Sequence, residues 1–132
     1  MLRPSFGPVF ATTYIAKHGS DKPVQGRTIA DSYDISIDYL MKVLQQLVRA
    51  RVIQSERGCR GGYRPRKAPA NTTLLEIVEA IEGPLDDGLS ICGEIDGAER
   101  ASQLVEGACG EVARFAQSLL RKTTVKQLMD SA

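Results

Sequence analysis

The sequence has few of the residues that build catalytic or metal sites. Its 132 residues include one histidine and three cysteines. His18 has no second metal-ligand residue near it in the sequence, so we expect it on the surface or at a helix end. No cysteine lies near His18, which leaves the chain without the nucleophile and base that covalent catalysis requires. We therefore expect a protein that is not an enzyme.

Long apolar runs are also missing. No run approaches the roughly 20 residues that a membrane span needs, and no signal-peptide pattern opens the chain, so we expect a cytoplasmic protein without a membrane partner. The cysteines at positions 59, 92 and 109 are odd in number and widely spaced, which argues against a secreted disulfide framework. Apolar residues make up 42% of the chain, enough for the core of one compact domain with an added element.

The charged residues are unevenly distributed, although the net charge is only +1. Residues 1–68 carry 12 Lys and Arg against 5 Asp and Glu, a balance of +7. Residues 69–132 carry 5 Lys and Arg against 11 Asp and Glu, a balance of −6. A basic half of this kind is the electrostatic footprint expected of a nucleic-acid-binding protein.

The basic half contains a predicted helix–turn–helix. A first helix begins near Pro8, a short second helix covers residues 27–33, and a third begins after Ser36, whose hydroxyl we expect to cap it. Apolar residues at helical spacing form the inner face of the third helix: Leu40, Val43, Leu44, Leu47 and Val48. The residues expected to point outward are Ser36, Tyr39, Lys42 and Gln46. A short helix, a tight turn and a capped second helix are typical of this motif.

A basic hairpin follows directly. Residues 52–56 and 63–65 are predicted strands, and residues 57–62 form the tip between them. Glycines supply the positive φ angles of a tight hairpin, and Arg57 and Arg60 can fork onto phosphates or enter a narrow groove. A helix–turn–helix followed by such a hairpin indicates a winged-helix DNA-binding domain.

Helices are predicted in the acidic half as well. Thr73 and Glu76 form a capping box, and that helix ends at Gly83 and Pro84. Residues 86–97 are acidic and lack clear periodicity, which predicts a mobile loop. A heptad seam then predicts a long helix packed against either the first helix or the same helix of a second copy; its members are Ala101, Val105, Ala108, Val112, Phe115 and Leu119. Thr124 can cap a short final helix.

These motifs resemble the Rrf2 family of bacterial winged-helix transcriptional regulators, over residues 6–130. The matching motifs are Ile35-Ser36-x-x-Tyr39-Leu40, Arg57-Gly58-x-x-Gly61-Gly62-Tyr63-Arg64, Thr73-Leu74-x-x-Ile77-Val78 and Glu82-Gly83-Pro84. The resemblance implies a mainly α fold with a small β-hairpin. Residues 1–83 would form the winged helix–turn–helix domain, with the wing at 52–65. Residues 84–132 would form the acidic loop, a long dimerisation helix and a short terminal helix.

The resemblance also implies a function. A homodimer would bind double-stranded DNA at a palindromic site and regulate transcription, with its recognition helix in the major groove and its wing at the minor groove. The implied DNA-binding residues are Thr28, Ser36, Tyr39, Lys42, Arg57, Arg60, Gly61 and Tyr63. Two alternatives stay open at this point: a winged-helix protein-interaction module without a DNA role, and a thiol-based redox-sensing regulator.

The sequence departs from the family in two respects. Iron–sulfur regulators of the family carry three closely spaced cysteines after the Glu-Gly-Pro helix, but here only Cys92 matches and residues 93–104 contain none. A cluster needs about four ligands, so we expect no cofactor. Cys59, among arginines that favour a thiolate, and Cys92 are instead candidate redox thiols. Arg51 stands where a glycine commonly ends the recognition helix, so this end is either built differently or strained.

Overall fold

The computed structural model describes residues 7–85 and 99–131. The fold is mainly helical with one small antiparallel sheet, which confirms the expected fold class. The elements in chain order are α1 (Gly7–His18), α2 (Gly26–Tyr33), α3 (Ile37–Arg49), β1 (Ile53–Glu56), β2 (Gly62–Pro65), a 3-10 turn (Pro69–Asn71), α4 (Leu74–Glu82), α5 (Glu99–Lys122) and α6 (Val125–Ser131).

The helix–turn–helix consists of α2 and α3. Asp34 ends α2 in the left-handed conformation, with φ 52° and ψ 49°, and the N–H groups of Asp34 and Ile35 both donate to the carbonyl of Ala30. Ser36 is the N-cap of α3, but the expected hydroxyl cap is wrong, because its side chain makes no capping hydrogen bond. The start of the helix is instead stabilised by a backbone hydrogen bond, in which the Ser36 carbonyl accepts from the Leu40 N–H at 2.9 Å.

The end of α3 resolves the question raised by Arg51. Arg51 has a φ of 64°, so the chain leaves the helix through a left-handed residue that is not glycine. The Val52 N–H donates to the Leu47 carbonyl at 3.0 Å, which closes the helix end around it. A left-handed conformation costs an ordinary residue about 1–2 kcal/mol. Of the two alternatives, the structure has the strained angle.

One hydrophobic core joins both ends of the chain. The four most deeply buried positions of α3 are Leu40, Val43, Leu44 and Leu47, as predicted, while Val48 is half-buried. Val125 of α6 belongs to the same core cluster. The starts of α4 and α6 are tied by two backbone bonds, from Leu74 N–H to Thr123 carbonyl and from Val125 N–H to Thr72 carbonyl, both 2.8 Å. The last helix therefore packs with the winged-helix part.

Both helices tied in this way begin with reciprocal caps. At α4 the Thr73 hydroxyl accepts from the Glu76 N–H, and the Glu76 carboxylate accepts from the Thr73 N–H at 2.8 Å, which confirms the capping box. Thr124 and Gln127 make the same pair of bonds at the start of α6. Each cap satisfies backbone donors that the first helical turn leaves unpaired.

The long helix α5 packs mainly on α4. Its buried residues are Cys109, Gly110 and Ala113, which place one face of the helix against the rest of the chain. The acidic segment 86–97, predicted to be a loop, lies outside the described residues.

Candidate nucleic-acid interface

The wing, formed by β1, β2 and the turn between them, is fixed to the domain at its base. The N–H of Val24 donates to the carbonyl of Tyr63 at 2.9 Å, and the N–H of Tyr63 donates back at 2.8 Å. The α1–α2 loop thus adds a bridge to the hairpin. Gly62 makes this approach possible, because a Cβ there would lie 2.5 Å from the Val24 carbonyl oxygen and its φ is +155°.

Arg64 holds the same base from the side. Its Nη1 donates to the carbonyl of Ser20 at 2.9 Å and its Nη2 to the carbonyl of Asp21 at 3.2 Å. Its Nε lies 2.5 Å from the Glu56 carboxylate on the paired strand. All three guanidinium nitrogens thus lie against oxygens of the same chain. Arg64 therefore holds the wing in position, and its charge is already paired within the chain.

The tip of the wing is exposed and cationic. Arg57, Cys59 and Arg60 are all exposed. The Gly61 N–H donates to the Gly58 carbonyl at 3.0 Å and closes the turn. Within residues 7–85 and 99–131, neither arginine makes a hydrogen bond or an ion pair, so both charges are available to an anionic partner.

Gly61 has a different place from its arginine neighbours. It is buried inside the turn, and a Cβ at this position would lie 2.2 Å from the Glu56 carbonyl oxygen. Only glycine fits there without moving the strand. The structure thus gives Gly61 a role in shaping the tip, and its predicted contact with DNA stays a prediction.

The outward face of α3 lies beside the wing. Its exposed residues are Asp38, Met41, Lys42, Gln45, Gln46 and Arg49, and Thr28 of α2 and Ser36 at the N-cap are exposed as well. An open groove of about 340 Å³ separates α3 from the hairpin, lined by Gln45, Val48, Arg49, Ser55 and Tyr63. The face therefore continues into the wing.

Sequence reasoning missed Gln45 and Arg49 in this groove. Gln45 lies three residues after Lys42, and Arg49 lies four residues after Gln45, so all three share one face of the helix. Continuing the helical periodicity from Lys42 would have found them. Ser55 could not have been found in this way, because only the tertiary packing of β1 beside α3 brings it to the groove.

Two predicted contact residues are less exposed than expected. Tyr39 and Tyr63 are half-buried and pack against the core, and burial raises the pKa of both phenols above the ordinary value of 10.0. The expected outward orientation of Tyr39 needs correction, since a Cβ on Gly7 would lie 3.0 Å from the Tyr39 ring. The ring lies over the start of α1 because position 39 adjoins the inner face of α3.

The cysteines lie in different settings. Cys59 is a free, exposed thiol, whereas Cys109 is buried and disulfide-bonded. Cys92, the other candidate redox thiol, lies outside the described residues. In the part of the chain that the structure describes, no three His, Cys, Asp or Glu side chains form a metal-binding group.

A second exposed surface lies on α5. We name it the apolar strip; it consists of Leu104, Ala108, Val112, Phe115 and Leu119. Leu104 is 76% exposed, Phe115 67%, Val112 52% and Leu119 49%. The predicted seam largely coincides with this strip, although Val105 is half-buried and Leu104 was missed. Because α5 packs on α4 through its other face, the strip lies on the side of α5 that points away from α4.

Across residues 7–85 and 99–131, no helix is both long enough and apolar enough to span a membrane.

The fold and the fixed wing define a winged helix–turn–helix protein. A family model described as "Rrf2: Iron-dependent Transcriptional regulator" matches residues 9–131, and the chain belongs to this family of transcriptional regulators. Its relatives are regulators and not enzymes. One is BadM of Rhodopseudomonas palustris, named as a helix–turn–helix transcriptional regulator, with 37% identity over 83% of this chain and 68% of BadM. NsrR of Bacillus licheniformis is 39% identical over 56% of this chain and 50% of NsrR.

Solved structures share the fold. The structure of CymR, the global cysteine regulator of Bacillus subtilis, superposes with a TM-score of 0.74 at 24% identity, covering 100% of this chain and 99% of CymR. The IscR structure from T. potens gives a TM-score of 0.70 at 21% identity, covering 99% of this chain and 86% of IscR.

Proposed function

We propose that the protein is a homodimeric, sequence-specific DNA-binding regulator that acts on a palindromic site in the bacterial cytoplasm. It places α3 in the major groove and the wing at the minor groove. The observation that carries this proposal is the wing itself. Its tip presents Arg57 and Arg60 without partners among the described residues, while its base is fixed to the domain.

The arrangement suits DNA for an electrostatic reason. When arginines neutralise DNA phosphates, the counterions condensed on the DNA are released, and this release supplies much of the binding free energy. A narrow minor groove carries an enhanced negative potential that attracts arginine. Because the wing base is anchored, Arg57 and Arg60 reach the DNA from a fixed position beside α3, which lowers the entropic cost of binding.

The apolar strip supports the homodimer. It carries four large apolar side chains on one helical face, and such a patch usually marks a protein interface. A two-fold axis brings the same patch of both chains together, so the apolar strip of one chain would meet the apolar strip of the other. The resulting pair of α3 helices would match two half-sites of a palindrome, separated by one DNA turn or a multiple of it.

The double variant Arg57→Ala/Arg60→Ala tests the DNA role. We expect binding to a selected DNA site to weaken at least about 30-fold per half-site, since two arginines that are each worth about 1–3 kcal/mol on DNA sum to at least about 2 kcal/mol. The slope of log affinity against log salt should fall by roughly 0.9 for each phosphate that the variant no longer neutralises. Fluorescence anisotropy across a salt series measures both quantities.

A matched control removes two exposed positive charges elsewhere. Arg121→Ala/Lys126→Ala makes the same change in net charge outside the proposed surface. If both double variants reduce affinity and slope equally, net charge and not the wing accounts for binding. A parent protein that shifts no DNA fragment at low salt would support the interaction-module alternative.

A second candidate function adds a thiol response to the first. Cys59 is free and exposed between the two wing arginines, where a bulky or charged adduct would obstruct DNA contact. We expect alkylation or oxidation to weaken DNA binding of the parent but not of Cys59→Ser. Equal sensitivity of both proteins would show that Cys59 is not the responsive thiol.

We also propose that the regulator works without an iron–sulfur cluster. The described residues offer no cluster-type ligand group, and the sequence after Cys92 lacks the further closely spaced cysteines. Anaerobically purified protein should be colourless and free of iron. Stoichiometric iron with sulfide in such a preparation would contradict this proposal.

A further inference from the structure

Met41 is the one large apolar side chain that is exposed between residues 7 and 85. Its exposure is 42%, and the other exposed large apolar residues of the described chain all lie on α5, within the apolar strip. Met41 lies on α3, on the face that carries Lys42 and Gln45. An apolar side chain on this polar face suits a partner that offers a small apolar group there.

The middle of the Met41 side chain is held in place. A Cβ at Gly26 would lie 3.1 Å from Met41 Sδ and 3.3 Å from Leu44, so the absence of a side chain at position 26 provides the space that the sulfur occupies. The thioether therefore lies against the start of α2. Packing of this kind restricts an otherwise flexible side chain.

DNA offers one apolar group in the major groove, the 5-methyl of thymine. We propose that Met41 is a specificity-determining residue that packs against a thymine methyl in each half-site and so selects thymine there. This inference rests on the proposed function and deepens it, because it assigns a base preference to one residue of α3. Polar neighbours such as Lys42 and Gln45 would supply phosphate and base-edge contacts instead.

Deoxyuridine provides the test, since it differs from thymidine only by this methyl group. The DNA site is first selected from a random pool with the full-length parent protein. Each thymine is then replaced by deoxyuridine, symmetrically in both half-sites, and affinity is measured by anisotropy. Burying one methyl predicts a loss of about fourfold per half-site, hence about 15-fold for both, at one symmetric position.

Variants identify the residue responsible. Met41→Ala should bind the thymine and deoxyuridine sites equally at that position, while Met41→Leu should keep part of the preference. Lys42→Ala is the matched control; it should weaken both sites by the same factor and keep the methyl preference. Circular dichroism melting of each variant, which we expect to match the parent, checks the fold.

The outcomes separate this inference from the proposed function. A selection that enriches no sequence would overturn sequence-specific binding and the Met41 role together. A site that is selected but has no deoxyuridine-sensitive thymine, or an equal penalty in the parent and Met41→Ala, would overturn only the role of Met41.

Discussion

The protein presents two exposed surfaces with opposite chemistry. One is the basic surface of α3 and the wing tip, which carries Lys42, Arg57 and Arg60 in solvent-exposed positions. The other is the apolar strip of α5, which exposes large apolar side chains such as Leu104 and Phe115. The first suits a polyanion, because cationic side chains that neutralise its charges release its bound counterions. The second suits another apolar surface, because apolar side chains gain free energy when they are removed from water.

The two surfaces also differ in how they depend on the rest of the chain. The wing needs an anchored base, which Gly62, Tyr63 and Arg64 provide through the α1–α2 loop. The strip needs only a continuous helix with its other face on α4. Under the proposed function, damage to the strip should abolish both dimerisation and DNA binding, whereas damage to the wing should abolish DNA binding alone.

The largest effect is expected from Phe115→Glu in the strip. Burying a phenylalanine is worth about 1.5–3 kcal/mol, and a two-fold interface loses two of them and gains two charges. We expect the dimer dissociation constant to rise at least 100-fold and DNA binding to fall with it, measured by sedimentation equilibrium and anisotropy.

Gln103→Glu is the control for that experiment. It adds the same charge to an exposed position of α5 outside the strip, and it should leave the dimer unchanged. A Phe115→Glu protein that stays dimeric would show that the strip is not the interface.

The next effect is expected from Gly62→Ala at the wing base. The new Cβ would lie 2.5 Å from the Val24 carbonyl, so we expect a loss of about 2–4 kcal/mol in the free energy of unfolding, measured by urea denaturation. DNA affinity should fall while the dimer persists. Gly58→Ala serves as control, because its φ of +108° is strained but nothing lies within 4 Å, so it should cost less. Equal losses for both variants would argue against the close contact.

A smaller effect is expected from Arg64→Ala. This change removes an ion pair and two hydrogen bonds to carbonyls that are partly open to solvent, so we expect a loss of about 1–2 kcal/mol in the free energy of unfolding. The salt slope of DNA binding should stay at the parent value, since the Arg64 guanidinium already binds oxygens of its own chain. A slope reduced as much as in Arg57→Ala/Arg60→Ala would place Arg64 on the DNA.

The smallest effect is expected from Gly107→Ala, on α5 beside the strip. A Cβ there meets nothing within 4 Å, and alanine favours a helix interior by about 1 kcal/mol over glycine. The protein should become more stable by about that amount without a change in dimer affinity. Weaker dimerisation instead would extend the interface to Gly107.

Much of the fold could be predicted because its signals are local. The capping box of Thr73 and Glu76 and the inner face of α3 depend on residues three or four apart, and each appears as expected. The wing could be predicted from glycines and arginines in a short segment. The prediction that the Ser36 hydroxyl caps α3 is wrong. Serine is a common N-cap residue, but here the backbone carbonyl of Ser36, and not its hydroxyl, makes the hydrogen bond at the helix start.

Other features depend on contacts between distant segments. The sequence shows several arginines around the wing. Only the packed structure separates Arg64, which binds carbonyls more than 40 residues away, from Arg57 and Arg60, which have no partner within residues 7–85 and 99–131. Likewise, periodicity identified the seam of α5 but left its neighbour open. In the packed chain α4 covers the other face of α5 and leaves the strip exposed, and a second copy as the neighbour of the strip belongs to the proposed function.

By itself, the sequence determined the helix–turn–helix, the basic wing and the apolar periodicity of α5, since these follow from residue type and short spacing. Tertiary structure alone decided which arginines are available, which way the strip faces, and that Met41 stands exposed among polar residues on α3. The physical reason is that the exposure of a side chain, and whether its charge is already paired, depend on residues far along the chain. The local spacing of residue types does not encode these contacts.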